Sequence, residues 1–123
     1  MIKILVADDE IHFADLLKVN LVHLGYEVDT AYDGKIALER INSNNYDFIF
    51  LDENMPELTG LELARYLKNS GAGAKVVIIT GYEGINEGFA RTVKIDGYLT
   101  KPIKTEDIDK IIRKLTKGQG ADK

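Results

Sequence analysis

No cysteine occurs in the 123 residues, which removes disulfide frameworks, thiolate zinc sites and thiol nucleophiles together. Any metal must therefore be held by oxygen. Long apolar runs are missing as well. The longest, such as Phe48 to Leu51 and Val76 to Ile79, are far too short to cross a bilayer, and the N-terminus lacks an apolar signal segment. A cytoplasmic location with no membrane partner is the expectation. There is no basic block, and the net charge is −4. Direct nucleic-acid binding is not expected of such a chain, because duplex binding rests largely on neutralising phosphates.

What is present has the make-up of a folded domain. Hydrophobic residues are 45% and charged residues 29% of the chain, which argues against disorder. The length fits one domain, able to bury roughly two thirds of its unfolded surface.

Short apolar runs alternate with segments of helical period, five pairs in all, as expected of an α/β doubly wound parallel sheet with helices on both faces. The strands are predicted at Ile4 to Ala7, Val28 to Ala31, Phe48 to Leu51, Val76 to Thr80 and Tyr98 to Thr100. The third is continuously apolar, the mark of a strand covered on both faces at the middle of a sheet. The first helix carries a stripe of Phe13, Leu16, Leu17, Leu21 and Leu24 and is closed by Gly25. Asp33-Gly34 predicts a turn before a short helix through Ile36, Ala37 and Ile41. A loop, Glu53 to Thr59, leads to a helix through Leu61, Ala64 and Leu67. The fourth predicted helix is poorly specified, since Gly84 and Gly88 each cost about 1 kcal/mol relative to alanine in a helix interior; a mobile or irregular segment is expected there. In the last helix Thr105 is read as the N-cap, with Ile108, Ile111, Ile112 and Leu115 buried. Residues 1–117 then form the domain, and 118–123 a frayed, flexible tail.

Asp8 and Asp9 follow the first strand, Asp52 the third and Lys101 the fifth, and Thr80 ends the fourth. All lie at carboxyl ends, which in a doubly wound sheet form the crevice where ligands bind. Three carboxylates in one crevice repel by about 4 kcal/mol per pair at 4 Å and an effective dielectric of 20 unless a cation neutralises them. Magnesium meets that demand: it takes oxygen ligands, only a few of them from protein, and bridges to phosphate. A carboxylate beside it can attack phosphorus, with Lys101 and Thr80 as ammonium and hydroxyl donors to the moving group.

Four stretches in order, Ile4-Leu5-Val6-Ala7-Asp8-Asp9-Glu10, Leu51-Asp52-Glu53-Asn54-Met55-Pro56 with Gly60, Thr80-Gly81, and Tyr98-Leu99-Thr100-Lys101-Pro102, resemble the response-regulator receiver family over nearly the whole chain. That resemblance implies the flavodoxin-like strand order 2-1-3-4-5. It implies Asp52 as phosphoacceptor, Asp8 and Asp9 as magnesium carboxylates and the backbone carbonyl of Asn54 as a third protein ligand, with manganese a possible substitute. Lys101 would hold a phosphoryl oxygen. Thr80 would turn toward the phosphoryl group and Tyr98 would move inward, remodelling the surface of the fourth helix, strand five and fifth helix. The implied partners are a sensor histidine kinase or phosphotransfer protein and a downstream protein target. Docking of the kinase is expected at His12, Asp15, Val19 and Ile103. Tyr82 and Asn54, two places beyond Thr80 and Asp52, are the positions at which control of phosphate lifetime is sought. Lys94-Ile95 departs from the family's usual Gly-Ala, which puts the end of the fourth helix in question.

Plainer readings exist for single residues. A lone Asp9 would cap a helix, Thr80 would be a strand residue, Tyr98 core and Lys101 surface. His12 and His23 have no metal-ligand company. Aspartyl-phosphate phosphatases of the haloacid dehalogenase type use similar parts, but carry a second Asp where this chain has Asn54 and need room for a cap domain. A pseudo-receiver that only binds partners is opposed by the intact acid pair, Asp52, Thr80 and Lys101. A flavin site would need a hydroxyl- and glycine-rich loop after strand one. The expectation is thus a phosphorylation switch, not an enzyme turning over free substrate, acting through another protein or forming the receiver portion of a longer one.

Overall fold

The computed structural model describes residues 1–55, 58–71, 73–81 and 95–120. Five strands, β1 (Lys3–Ala7), β2 (Glu27–Ala31), β3 (Phe48–Asp52), β4 (Lys75–Thr80) and β5 (Gly97–Thr100), pair in parallel in the order β2-β1-β3-β4-β5. Four helices are described: α1 (Ile11–His23), α2 (Gly34–Ser43), α3 (Gly60–Asn69) and α4 (Thr105–Gly120). The fourth predicted helix, with Gly84 and Gly88, lies outside the described residues, as do Pro56, Tyr82 and Lys94.

β3 is the centre of the molecule, buried at all five positions. Its alternating side chains enter two cores, Ile49 and Leu51 on the face covered by α2 and α3, Phe48 and Phe50 on the face covered by α1 and α4. This is why its apolar run does not alternate with polar residues.

Helix ends follow local chemistry, with some corrections to expectation. Gly25, at φ +103°, takes the left-handed conformation that closes α1 and that a side chain would strain. Asp33-Gly34 is not a free turn: the Asp33 carboxylate caps α2 by accepting from the Ile36 N–H at 2.8 Å. Thr59 and Glu62 form a reciprocal capping box at the start of α3. At α4, Thr105 is the first helical residue and not the cap; Asp107 instead accepts from the Lys104 N–H at 2.9 Å, while Thr105 Oγ1 accepts from Asn20 Nδ2 on α1. The backbone of α4 is helical as far as Gly120. Residues 121–123 lie outside the described residues.

The predicted stripe of α1 is only partly right. Ala14, Leu17 and Leu21 are buried, whereas Leu16 is 61% and Leu24 50% exposed. α1 is apolar around most of its circumference, and only the side meeting the sheet and α4 is covered.

Candidate functional site

The carboxyl edge of the sheet gathers the residues that the sequence scatters. β1 hands the chain to Asp8, which is fully buried; β3 ends on buried Asp52; β4 ends on buried Thr80. Register places Thr80 beside Thr100, and the Lys101 N–H donates to the Thr80 carbonyl at 2.8 Å, which carries the lysine to the same edge. The Lys101-Pro102 bond is cis. Asp9, Glu10, Asp52, Glu53, Asn54, Met55, Gly81 and Lys101 line an open crevice of about 630 Å³.

One oxygen from each of Asp8, Asp9 and Asp52 lies within 4.8 Å of the others. The Lys101 ammonium faces this group, 3.5 Å from Asp8 Oδ2 and 3.6 Å from Asp52 Oδ1. Asp8 Oδ1 accepts from the Glu10 N–H at 2.9 Å, but Asp8 Oδ2 is buried without a hydrogen-bond donor. Burial first, and the neighbouring Asp8 charge second, push the Asp52 carboxyl up to about 7 against the pull of Lys101 and the Asn54 N–H. Burial raises Asp8 as well, opposed by the Glu10 N–H and Lys101. For Lys101, burial acts to lower the pKa, yet Glu10, Asp8 and Asp52 together outweigh it and raise it. Among the described residues the crevice thus holds more acid than the single ammonium of Lys101 lets it ionise comfortably.

The backbone here is closely fitted. A Cβ on Gly60 would strike the Asp52 carbonyl, so the glycine that opens α3 lets that helix approach the end of β3.

Of the remaining sequence candidates, Tyr98 is half-buried and packs on the core beneath α2 and α3. His12, Asp15 and Val19 are exposed on α1, and Ile103 is half-buried against the opposite core. Asp15 accepts from the Tyr32 hydroxyl at 2.5 Å. Asp9 does not cap α1; Glu10 occupies that place. Two acids were passed over in the sequence reading, Glu10 and Glu53. Glu10 accepts from Lys101 Nζ at 3.0 Å, and Glu53 Oε2 is buried without a hydrogen-bond partner. The signal available for Glu10 was its place directly after the acid pair, at a helix start where glutamate is not a favoured cap.

Comparison with known proteins shows the family of the chain. The family model described as the response regulator receiver domain matches residues 4–113. The chain belongs to the response regulator receiver family. Receiver domains are the phosphorylation-activated switches of two-component signalling. Response regulator ArlR of Staphylococcus saprophyticus is 33% identical over 119 residues, covering 97% of this chain and 54% of that protein. The chain therefore spans about half the length of the curated relatives it matches. The receiver domain of Francisella response regulator 1452 superposes with a TM-score of 0.89 at 33% identity, over 97% of this chain and 99% of that one. The response regulator TrrA from Thermotoga maritima, solved in complex with Mg2+-BeF, gives a TM-score of 0.83 at 36% identity, covering 94% of this chain and 99% of that one.

Proposed function

We propose that Asp52 is the phosphoryl acceptor of this receiver. The observation that carries this reading is its place, a buried carboxylate at the end of the central strand, within 4.8 Å of two further carboxylates and 3.6 Å from an ammonium. A carboxylate oxygen of Asp52 attacks the phosphorus of a phosphohistidine. The P–N bond breaks, its electron pair stays on the imidazole nitrogen, and the product is an acyl phosphate on Asp52. Lys101 meets a phosphoryl oxygen, and Thr80 at the end of β4 supplies a hydroxyl to another.

The residues at the crevice fit a divalent cation. Asp8, Asp9, Asp52 and the backbone carbonyl of Asn54 would hold Mg2+, or Mn2+ in its stead, and the buried Asp8 Oδ2, with no hydrogen bond among the described residues and the Lys101 ammonium 3.5 Å away, is an oxygen such a cation would take. Bound there, the cation supplies positive charge that the phosphoryl oxygens and the crowded acids lack. The Asp52 carboxyl, held up to about 7 by burial and by Asp8, would then ionise at lower pH, as its role as nucleophile requires.

Thr80 and Tyr98 are the switch pair, and the face around strand five and the last helix is the surface they alter for a downstream protein. A histidine kinase or phosphotransfer protein docks at the exposed start of α1 and the loop after Lys101, through His12, Asp15, Val19 and Ile103. Phosphate leaves Asp52 by hydrolysis, with no turnover of a free substrate. No helix among the described residues is long and apolar enough to cross a membrane, which supports a cytoplasmic setting. The expectation of no direct nucleic-acid contact concerns this domain alone, since its curated relatives carry about as much chain again.

Intact-mass spectrometry with Mg2+ and acetyl phosphate tests the assignment. One phosphate should appear on the native chain and none on Asp52→Asn; equal gain by both would move the acceptor elsewhere.

A further inference from the structure

The start of α1 differs from the other described helix starts. Asp33 and Thr59 use their side chains to cap α2 and α3, and Asp107 reaches back to the Lys104 N–H at α4. Glu10 holds the N-cap place of α1 and makes no capping hydrogen bond. Its carboxylate is turned to Lys101 instead, with Oε1 3.0 Å from Nζ, nearer than Asp8 Oδ2 at 3.5 Å or Asp52 Oδ1 at 3.6 Å. Three residues on, the Phe13 ring has its centroid 5.4 Å from the same ammonium, within cation–π range. Spacing of i and i+3 puts both groups on one side of the helix. The Glu10 side chain is 65% exposed, so its pairing with Lys101 adds little to stability. A role in stability alone does not account for a forgone cap.

We infer that Glu10 and Phe13 form a seat that draws the Lys101 ammonium toward the rim of the crevice and loosens its hold on Asp8 and Asp52, with which it still pairs at 3.5 and 3.6 Å. Glu10 and Phe13 are positioning residues in this account, which rests on the reading of Asp52 as phosphoryl acceptor. The ammonium and a divalent cation compete for the same carboxylate oxygens. Drawing Nζ toward Glu10 makes it easier to displace from those oxygens, and the Glu10 charge itself adds attraction for the cation. Loss of Glu10 therefore weakens cation binding for two reasons of the same sign. Toward an incoming phosphoryl group the sign reverses, because Glu10 repels its negative oxygens and competes for the ammonium they need. The seat favours cation binding at the expense of phosphoryl-transfer rate.

Glu10→Gln separates this from a structural ion pair. Mg2+ affinity is measured by calorimetry on the unphosphorylated chain, and the rate of phosphate gain from acetyl phosphate is followed by intact mass at saturating Mg2+. The Mg2+ Kd should rise about three- to tenfold, while the rate at saturation rises about two- to fivefold. Phe13→Leu, which keeps an apolar side chain but removes the ring, should move the Kd in the same direction by about twofold. An ion pair serving only stability would shift the urea midpoint and leave both constants alone, which would overturn the seat; so would a rate that falls together with affinity. If the native chain gains no phosphate while the Kd shifts as expected, the acceptor reading fails and with it the rate half of the account, while the effect on cation binding stands. If the native chain is phosphorylated and Glu10→Gln matches it in both constants, the seat alone fails.

Discussion

The two edges of the sheet carry acids in opposite circumstances. At the edge where the strands begin, Asp47 accepts from the Lys3 N–H at 2.8 Å. Asp96 accepts there from Lys68 Nζ and the Val76 N–H, each at 2.7 Å, with Lys75 Nζ 3.9 Å away. Each acid has donors of its own, and the pairs tie α3, β4 and the approach to β5 together. At the edge where the strands end, Asp8, Asp9 and Asp52 crowd together, and the one ammonium that pairs with Asp8 and Asp52 among the described residues is also claimed by Glu10. Acids that serve the fold are matched to donors one by one. Acids crowded beyond their supply of positive charge hold electrostatic energy that a bound cation or a protonation event releases.

The sharpest way to break this comparison is to remove one acid from each edge. The Asp52 carboxyl keeps its proton up to about 7 in the folded chain, against about 3.9 for a free aspartate. Between those values the folded state binds more protons than the unfolded one, so the cation-free protein loses stability as pH rises through that window. Asp52→Asn removes the penalty, and urea denaturation at pH 8 should show a gain of up to about 4 kcal/mol, at about 1.4 kcal/mol per pKa unit. The gain should shrink toward zero at pH 4, and a destabilised variant at pH 8 would erase the contrast between the edges.

Asp96→Asn should do the reverse. It weakens charge-assisted hydrogen bonds to Lys68 and Val76 and should cost about 1.5–3 kcal/mol in the same titration. Its Mg2+ affinity, read by calorimetry, should equal that of the native chain, because Asp96 sits at the far edge.

The smallest effect sharpens the comparison without mutation. Mg2+ at ten times its Kd should stabilise the native chain by about 1.4 kcal/mol and flatten the fall in stability between pH 5 and 8. Asp52→Asn should respond much less, and an equal response would place the cation away from Asp52.

Much of the architecture was legible because it depends on local pattern. The continuous run Phe48 to Leu51 announced a strand covered on both faces, and Ile49 and Leu51 do enter one core while Phe48 and Phe50 enter the other. Gly25 announced the end of α1 through a conformation that other residues resist. The acids at strand ends announced a charged crevice, since parallel strands bring all their carboxyl ends to one side. The buried side of α1 was harder to read. Ile11, Phe13, Leu16, Leu17, Val19, Leu21 and Val22 leave little polar face to orient it, and contact with the sheet selected Ala14, Leu17 and Leu21.

By itself, the sequence determined the alternation of strand and helix, the central place of β3 and the arrival of Asp8, Asp9 and Asp52 at one edge, because each follows from side chains within a few residues of one another. Only the tertiary structure decided which oxygen of Asp8 is left without a donor, how far burial raises Asp52 and which of several acids lies nearest Lys101. Those outcomes depend on distances of a few ångströms between groups as many as 91 positions apart. Coulomb and desolvation energies vary too steeply over that range for any local pattern to encode them.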